Sequence, residues 1–140
     1  MKRSVLRLLD ANANRALEGL RVAEEIVRFD LEAGAAFRKL RALRHAIAAA
    51  TRQLPIGPFA LVQARESRQD IGRRAPSSAE SSLERLLLIN FQRVKESLRT
   101  LEECARLLAP RYSTQYQRLR FRTYAVERDV LLRVAALRHP

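Results

Sequence analysis

The chain has 140 residues, one cysteine, and 27 Lys and Arg against 15 Asp and Glu, a formal charge of +12. That length suits one domain burying roughly two thirds of its unfolded surface, and a lone Cys104 excludes a disulfide framework or a cysteine zinc centre. No apolar run approaches the roughly 18 residues of a membrane span, and Arg7 and Asp10 stand where a signal peptide keeps its apolar region, so a cytoplasmic protein without membrane association and with anionic partners is expected.

The first predicted helix runs from about Arg3 to Phe29. Leu6, Leu9, Ala16, Leu17, Leu20, Ala23 and Val27 recur at helical spacing, whereas Asp10, Asn14, Glu18, Arg21, Glu25 and Arg28 occupy a face that reads as solvated. Asn12, Arg15 and Glu24 break the apolar arc. Gly19 costs roughly 1 kcal/mol in a helix and implies close approach by another helix or a ligand. A turn near Gly34 follows, with Asp30 as the expected cap, and a second helix spans Ala35 to Gln53. Pro55, Gly57 and Pro58 end it.

Residues 55–80 form the one long irregular segment, in which FALVQAR reads as a short extended or helical piece. A loop of this length inside a compact domain is functional or disordered; Arg65, Arg68, Arg73 and Arg74 beside Glu66 and Asp70 suit a phosphate clamp that also presents a carboxylate. A solvated linker is the alternative. The third helix starts from capping pairs Ser77 with Glu80, or Ser81 with Glu84, and runs to Ala109. The fourth, capped near Ser113, reaches Leu137.

The first and third helices are copies. At an offset of 78, Asn12, Arg15, Glu18, Leu20, Arg21, Glu24, Glu25 and Arg28 match Asn90, Arg93, Glu96, Leu98, Arg99, Glu102, Glu103 and Arg106. The second and fourth helices align at 79, pairing Leu40 with Leu119, Arg41 with Arg120 and Ile47 with Val126. The expectation is a single all-α domain over 1–140: a four-helix bundle of two repeated hairpins (3–54 and 81–137) with pseudo-twofold symmetry, joined by the functional loop 55–80.

An ion inside a protein needs a partner, so Glu24 and Glu102, with Arg41 and Arg120 as natural partners, suggest a polar cavity; a network that only sets hairpin register is the rival reading. Gly-rich phosphate loops, Ser-His-Asp catalysis and Glu-x-x-His di-iron pairs are missing. The remaining Arg, Asn and carboxylate inventory suffices for phosphoryl transfer, which needs mainly positioning and charge neutralisation.

The ordered motifs Asp10-Ala11-Asn12-Ala13-Asn14-Arg15, Glu18-Gly19-Leu20-Arg21, Leu40-Arg41-Ala42-Leu43-Arg44-His45, Ala64-Arg65-Glu66 with Asp70-Ile71-Gly72, Asn90 with Arg93-Val94 and Glu96, and Leu119-Arg120 with Tyr124 resemble the small helical hydroxymethylpyrimidine-phosphate kinase domain. That domain occurs alone or fused to thiamine-phosphate synthase. The resemblance spans about Arg7 to Val130 and departs mildly at Glu66, where the family pattern has Asp, and at Ile71, where it has Val. It implies an ATP- and Mg2+-dependent kinase converting the pyrimidine phosphate to its diphosphate in thiamine synthesis. Because the chain ends at Pro140, the synthase barrel and its activity are expected to be absent.

On that reading the substrate residues are Asn12, Arg15, Asn90 and Arg93, and the phosphate residues Arg41, Arg65 and Arg120. Asp70 and Glu102 are the catalytic candidates, and Glu24 and Glu102 the Mg2+ ligands. Association with thiamine-phosphate synthase and a homodimer stay open as partner states. Two rival functions are a non-catalytic interaction domain serving that synthase and a basic nucleic-acid-binding module; the scarcity of aromatics, 6% with no Trp, argues against the second.

Overall fold

The computed structural model describes residues 3–76, 79 and 82–138, and among them every regular element is helical. Five α-helices are formed: α1 (Arg3–Ile26), α2 (Gly34–Arg52), α3 (Pro58–Ala64), α4 (Leu83–Leu108) and α5 (Pro110–Arg138). None is long and apolar enough to cross a membrane.

Packing follows the apolar stripes. α1 lies against both α2 and α4, α5 lies against both α2 and α4, and α3 rests on α1. Leu9, Ala16, Leu20 and Ala23 of α1 meet Leu40, Leu43 and Ile47 of α2, Leu87, Phe91, Val94, Leu98 and Leu101 of α4, and Tyr116, Val130 and Val134 of α5 in one core. The buried Tyr116 hydroxyl lies 3.0 Å from Thr51 Oγ1, which satisfies it, and burial raises its pKa although that bond opposes the rise. Gly19 has its reason in α4: a Cβ there would lie 2.8 Å from Val94 Cγ2 and 3.1 Å from the Asn90 carbonyl oxygen. The close approach is by a helix.

Several local expectations change. α1 runs on as a π-helical turn, Val27–Leu31, and the chain reverses through Glu32, whose φ of 50° is left-handed. Asp30 therefore caps nothing; Ala33 precedes α2 without a side-chain cap. The FALVQAR piece is helical, with Pro58 at the start where its missing N–H costs nothing. Ser77, Glu80 and Ser81 lie outside the described residues, and the cap of α4 is Ser82, whose Oγ accepts from the Arg85 N–H at 3.1 Å. α5 opens at Pro110, so Ser113 is inside it, its hydroxyl donating to the Pro110 carbonyl at 2.7 Å.

The expected 79-residue register between the second and fourth helices is also corrected. Burial agrees at 76: Leu40 with Tyr116, Leu43 with Leu119, Ile47 with Thr123, Ala50 with Val126 and Leu54 with Val130 are all buried pairs. The first connection contains the π-helical turn and two further residues, while Ala109 alone joins α4 to α5. Glu24 is consequently clamped by Arg44, Nη2 to Oε1 at 3.2 Å and Nε to Oε2, and not by Arg41. Arg120 does hold Glu102, Nε to Oε2 at 3.0 Å.

Candidate functional site

Comparing the burial of the two copies locates the place where they differ. Each buried residue from Leu9 to Val27 has a buried counterpart 78 positions later, with one exception. Asp10 is only 7% exposed, whereas its counterpart Leu88 is 42% exposed. An acid is inside where an aliphatic residue is outside, the reverse of what transfer free energies favour. Arg65 supplies the compensation, donating Nε to Asp10 Oδ2 and Nη2 to Oδ1, both at 2.7 Å. This two-bond arrangement is the strong geometry for a guanidinium and a carboxylate, and it raises the Arg65 pKa further above its ordinary value.

Arg65 sits where α3 ends, so the pair straps the segment after α3 onto α1. Arg7 adds a weaker tie to the Glu66 carbonyl at 3.4 Å. Beyond it the chain folds on itself: Glu66 Oε1 accepts from the N–H groups of Arg68 (3.1 Å) and Gln69 (3.3 Å), and Asp70 Oδ1 accepts from the Gly72 N–H at 2.8 Å.

Between this strap and α1 lies a cavity of about 610 Å³, within the usual range for small-molecule sites. α1 contributes Arg3, Ser4, Arg7, Leu8, Asp10, Ala11, Asn12, Asn14 and Arg15, and the strap contributes Arg65, Glu66, Ser67 and Asp70. At 100° per residue Ala11 falls midway between the Asp10 and Asn12 edges of that face, and its small side chain leaves the floor open. The second copy has Ile89 there. Among the described residues, Arg3 and Arg15 have no hydrogen-bond or ion-pair partner. Asn12 donates to the Leu8 carbonyl at 2.9 Å and Asn14 to Asp10 Oδ1 at 3.4 Å, so the oxygens of both amides stay available as acceptors.

Of the residues the sequence singled out, Asn12, Arg15, Arg65 and Asp70 line this one cavity. Asn90 is buried near Gly19 at the α1–α4 contact and repeats the Asn12 bond, donating to the Leu86 carbonyl at 2.8 Å. Arg93 and Arg41 are exposed elsewhere, and Arg120 is engaged by Glu102. Glu24 and Glu102 are 0% and 2% exposed beneath guanidinium groups, from Arg44 and Arg21 in one case and Arg120 and Arg106 in the other. Two guanidinium groups over each buried carboxylate already place positive charge where a cation would sit, so these two residues fit buried ion pairs better than the expected metal role or, for Glu102, the catalytic one.

Among the described residues no three His, Cys, Asp or Glu side chains gather into a metal-holding group. Glu66 and Asp70 each keep one carboxylate oxygen free of hydrogen bonds, which fits the way Mg2+ is held, by one or two carboxylates plus phosphate oxygens and water. Sequence reasoning missed Asp10, Arg3, Arg7 and Asn14, which it assigned to the solvated face or left without a role.

A model of the ThiD2 family matches residues 7–129. The thiamine-phosphate synthase of Rhodopirellula baltica is 35% identical over 138 residues, 96% of this chain and 36% of that protein. Those of Synechocystis and Gloeobacter violaceus are 37% and 35% identical, over 91% and 96% of this chain. The chain spans 36%, 36% and 40% of the lengths of these three relatives. No solved structure matches it.

Proposed function

The chain belongs to the ThiD2 family, and from that premise we propose that it is a cytoplasmic kinase of thiamine biosynthesis, converting hydroxymethylpyrimidine phosphate to the diphosphate with ATP and Mg2+. The observation that carries the reading is the cavity on α1: four arginines, two amide oxygens and two carboxylates with a free oxygen each, around a floor kept open by Ala11. The names of the relatives support the pathway, and the resemblance in the motifs supports the substrate. Of the two matched hairpins only the first, with Arg65 to Asp70 of the following segment, lines this cavity.

The chemistry asks little acid–base work of the protein. The acceptor is a phosphate oxygen, already anionic near neutral pH, so no base has to create the nucleophile. The bond from the donor's terminal phosphorus to its bridging oxygen breaks, a bond to the acceptor oxygen forms, and ADP leaves. The barrier lies in bringing two anions together and in the charge on the transferring group, and guanidinium groups stabilise both. Arg15 binds the acceptor phosphate, and Arg65, fixed by Asp10 through two of its five N–H groups, offers the other three to the transferring oxygens. The amide oxygens of Asn12 and Asn14 accept from the amino group of the pyrimidine. Mg2+, held through Asp70 and Glu66, would neutralise donor phosphate charge.

A coupled assay for ADP release tests the reading, with the pyrimidine phosphate and the unphosphorylated alcohol as alternative acceptors. Turnover is expected with the phosphate and not with the alcohol, which leaves Arg15 unpaired. No turnover with either acceptor from folded protein, together with co-elution with thiamine-phosphate synthase, would replace the kinase with a non-catalytic partner domain. That second reading is favoured by one fact, that the chain matches about a third of each relative named thiamine-phosphate synthase.

A further inference from the structure

Arg3, Arg7, Ala11 and Arg15 follow one another at i,i+4 along α1 and all line the cavity. Like charges at this spacing repel, and a helix ordinarily interleaves acids to relieve them. Here Arg3 and Arg15 have no partner among the described residues, and Arg7 has only a carbonyl at 3.4 Å. The one acid of α1 in the cavity, Asp10, is already spent on Arg65. The ridge therefore carries positive charge that no acid of α1 offsets and that forms no ion pair among the described residues with Glu66 or Asp70 across the cavity, over twelve residues or about 18 Å of helix. One phosphate monoester cannot span that length; a polyphosphate chain beside it can.

The two ends of the ridge differ in chemistry. The Arg15 end carries the acceptor oxygens of Asn12 and Asn14, which can read a heterocycle. From α1 the Arg3 end offers Ser4 and the Arg3 and Arg7 guanidinium groups, with Glu66 of the strap tied at Arg7 and Arg3 itself exposed at the rim, so it can hold phosphates without reading a base. We infer that the Arg3–Arg7 end of the α1 cavity is the subsite for the polyphosphate chain of the phosphoryl donor, whose terminal phosphate lies over Ala11. The assignment rests on the kinase reading for the acceptor at the other end. The nucleoside of the donor stays toward solvent, so base selectivity is weak.

Calorimetric titration with inorganic tripolyphosphate tests this without needing turnover. Wild type binds it, and Arg3→Ala and Arg7→Ala each weaken binding roughly tenfold or more, as loss of a charge-assisted contact does, with unchanged far-UV circular dichroism. Binding of the pyrimidine phosphate changes less than threefold in both variants, and Arg15→Ala shows the opposite pattern. Arg7→Lys retains part of the tripolyphosphate affinity, which separates charge from packing. Tripolyphosphate that fails to bind wild type, or that binds all three alanine variants equally well, overturns the subsite. If tripolyphosphate binds as described while the coupled assay shows no turnover, the polyphosphate site stands, and the kinase reading falls together with the assignment of that site to a phosphoryl donor.

Discussion

Ala11→Leu is expected to lower kcat/KM for the pyrimidine phosphate at least about 100-fold while leaving the protein folded, because displacement of bound groups by about 1 Å already costs that much in rate. Ala11 is the floor of the cavity, and a leucine projects about three carbons into the space between α1 and the Asp10–Arg65 strap. Leucine is nearly as good a helix former as alanine. The second copy bears Ile89 in the same register of α4 without disturbing its helix, so a bulky residue here is compatible with the fold. Steady-state kinetics beside a thermal melt read both halves of the expectation. Full activity in Ala11→Leu would mean that the reaction takes place outside this cavity.

Arg44→Ala is expected to destabilise the fold by about 3 kcal/mol, lowering Tm by roughly 10 °C. Glu24 is 0% exposed, and Arg44 supplies two contacts to it. Only Arg21, at 3.8 Å, would remain to offset the buried carboxylate. Replacing Glu24 and Arg44 together by methionine is expected to recover most of the loss, since a buried pair and its apolar substitute are often of similar stability. Arg41→Ala is the control. Arg41 is exposed with no partner among the described residues, so its loss stays within about 0.5 kcal/mol. Urea titrations that gave Arg41→Ala and Arg44→Ala equal costs would refute the pairing.

The misassignment of that pair shows what a sequence repeat conveys. Side-chain identities aligned the second and fourth helices at 79, but burial follows 76, since the chain between α1 and α2 is longer than that between α4 and α5. The acid and its arginine are 20 residues apart in one half and 18 in the other. Helical periodicity reports which face is apolar, and it reported this well: the stripes of α1 and α4, the buried Glu24 and Glu102 and the close approach at Gly19 were all legible. The turn lengths were not, because the π-helical turn at Val27–Leu31 carries no glycine or proline to mark it.

The site was legible in part for a related reason. Asn12, Arg15, Arg65 and Asp70 stood out because they broke a pattern or sat in an irregular segment, and the structure brings them to one cavity. Asp10 obeyed its pattern, lying on the polar face of a single helix. Its burial comes from Arg65, 55 residues later, and no property local to α1 announces that. A signal was present in the repeat itself: Asp10 and Ala11 become Leu88 and Ile89 immediately before the matched Asn12 and Asn90. Leu88 and Ile89 in place of Asp10 and Ala11 mark the face on which the two copies differ. The same comparison separates Arg15 from Arg93, which sequence identity alone treats as equivalent.

If function resides in the α1 half alone, turnover by Arg15→Ala measured beside Arg93→Ala separates the two halves. Arg15→Ala is predicted to lose at least about 100-fold in kcat/KM for the pyrimidine phosphate, and Arg93→Ala to stay within about threefold of wild type. Equal losses in the two variants, or a larger loss in Arg93→Ala, would return the site to the matching face of α4.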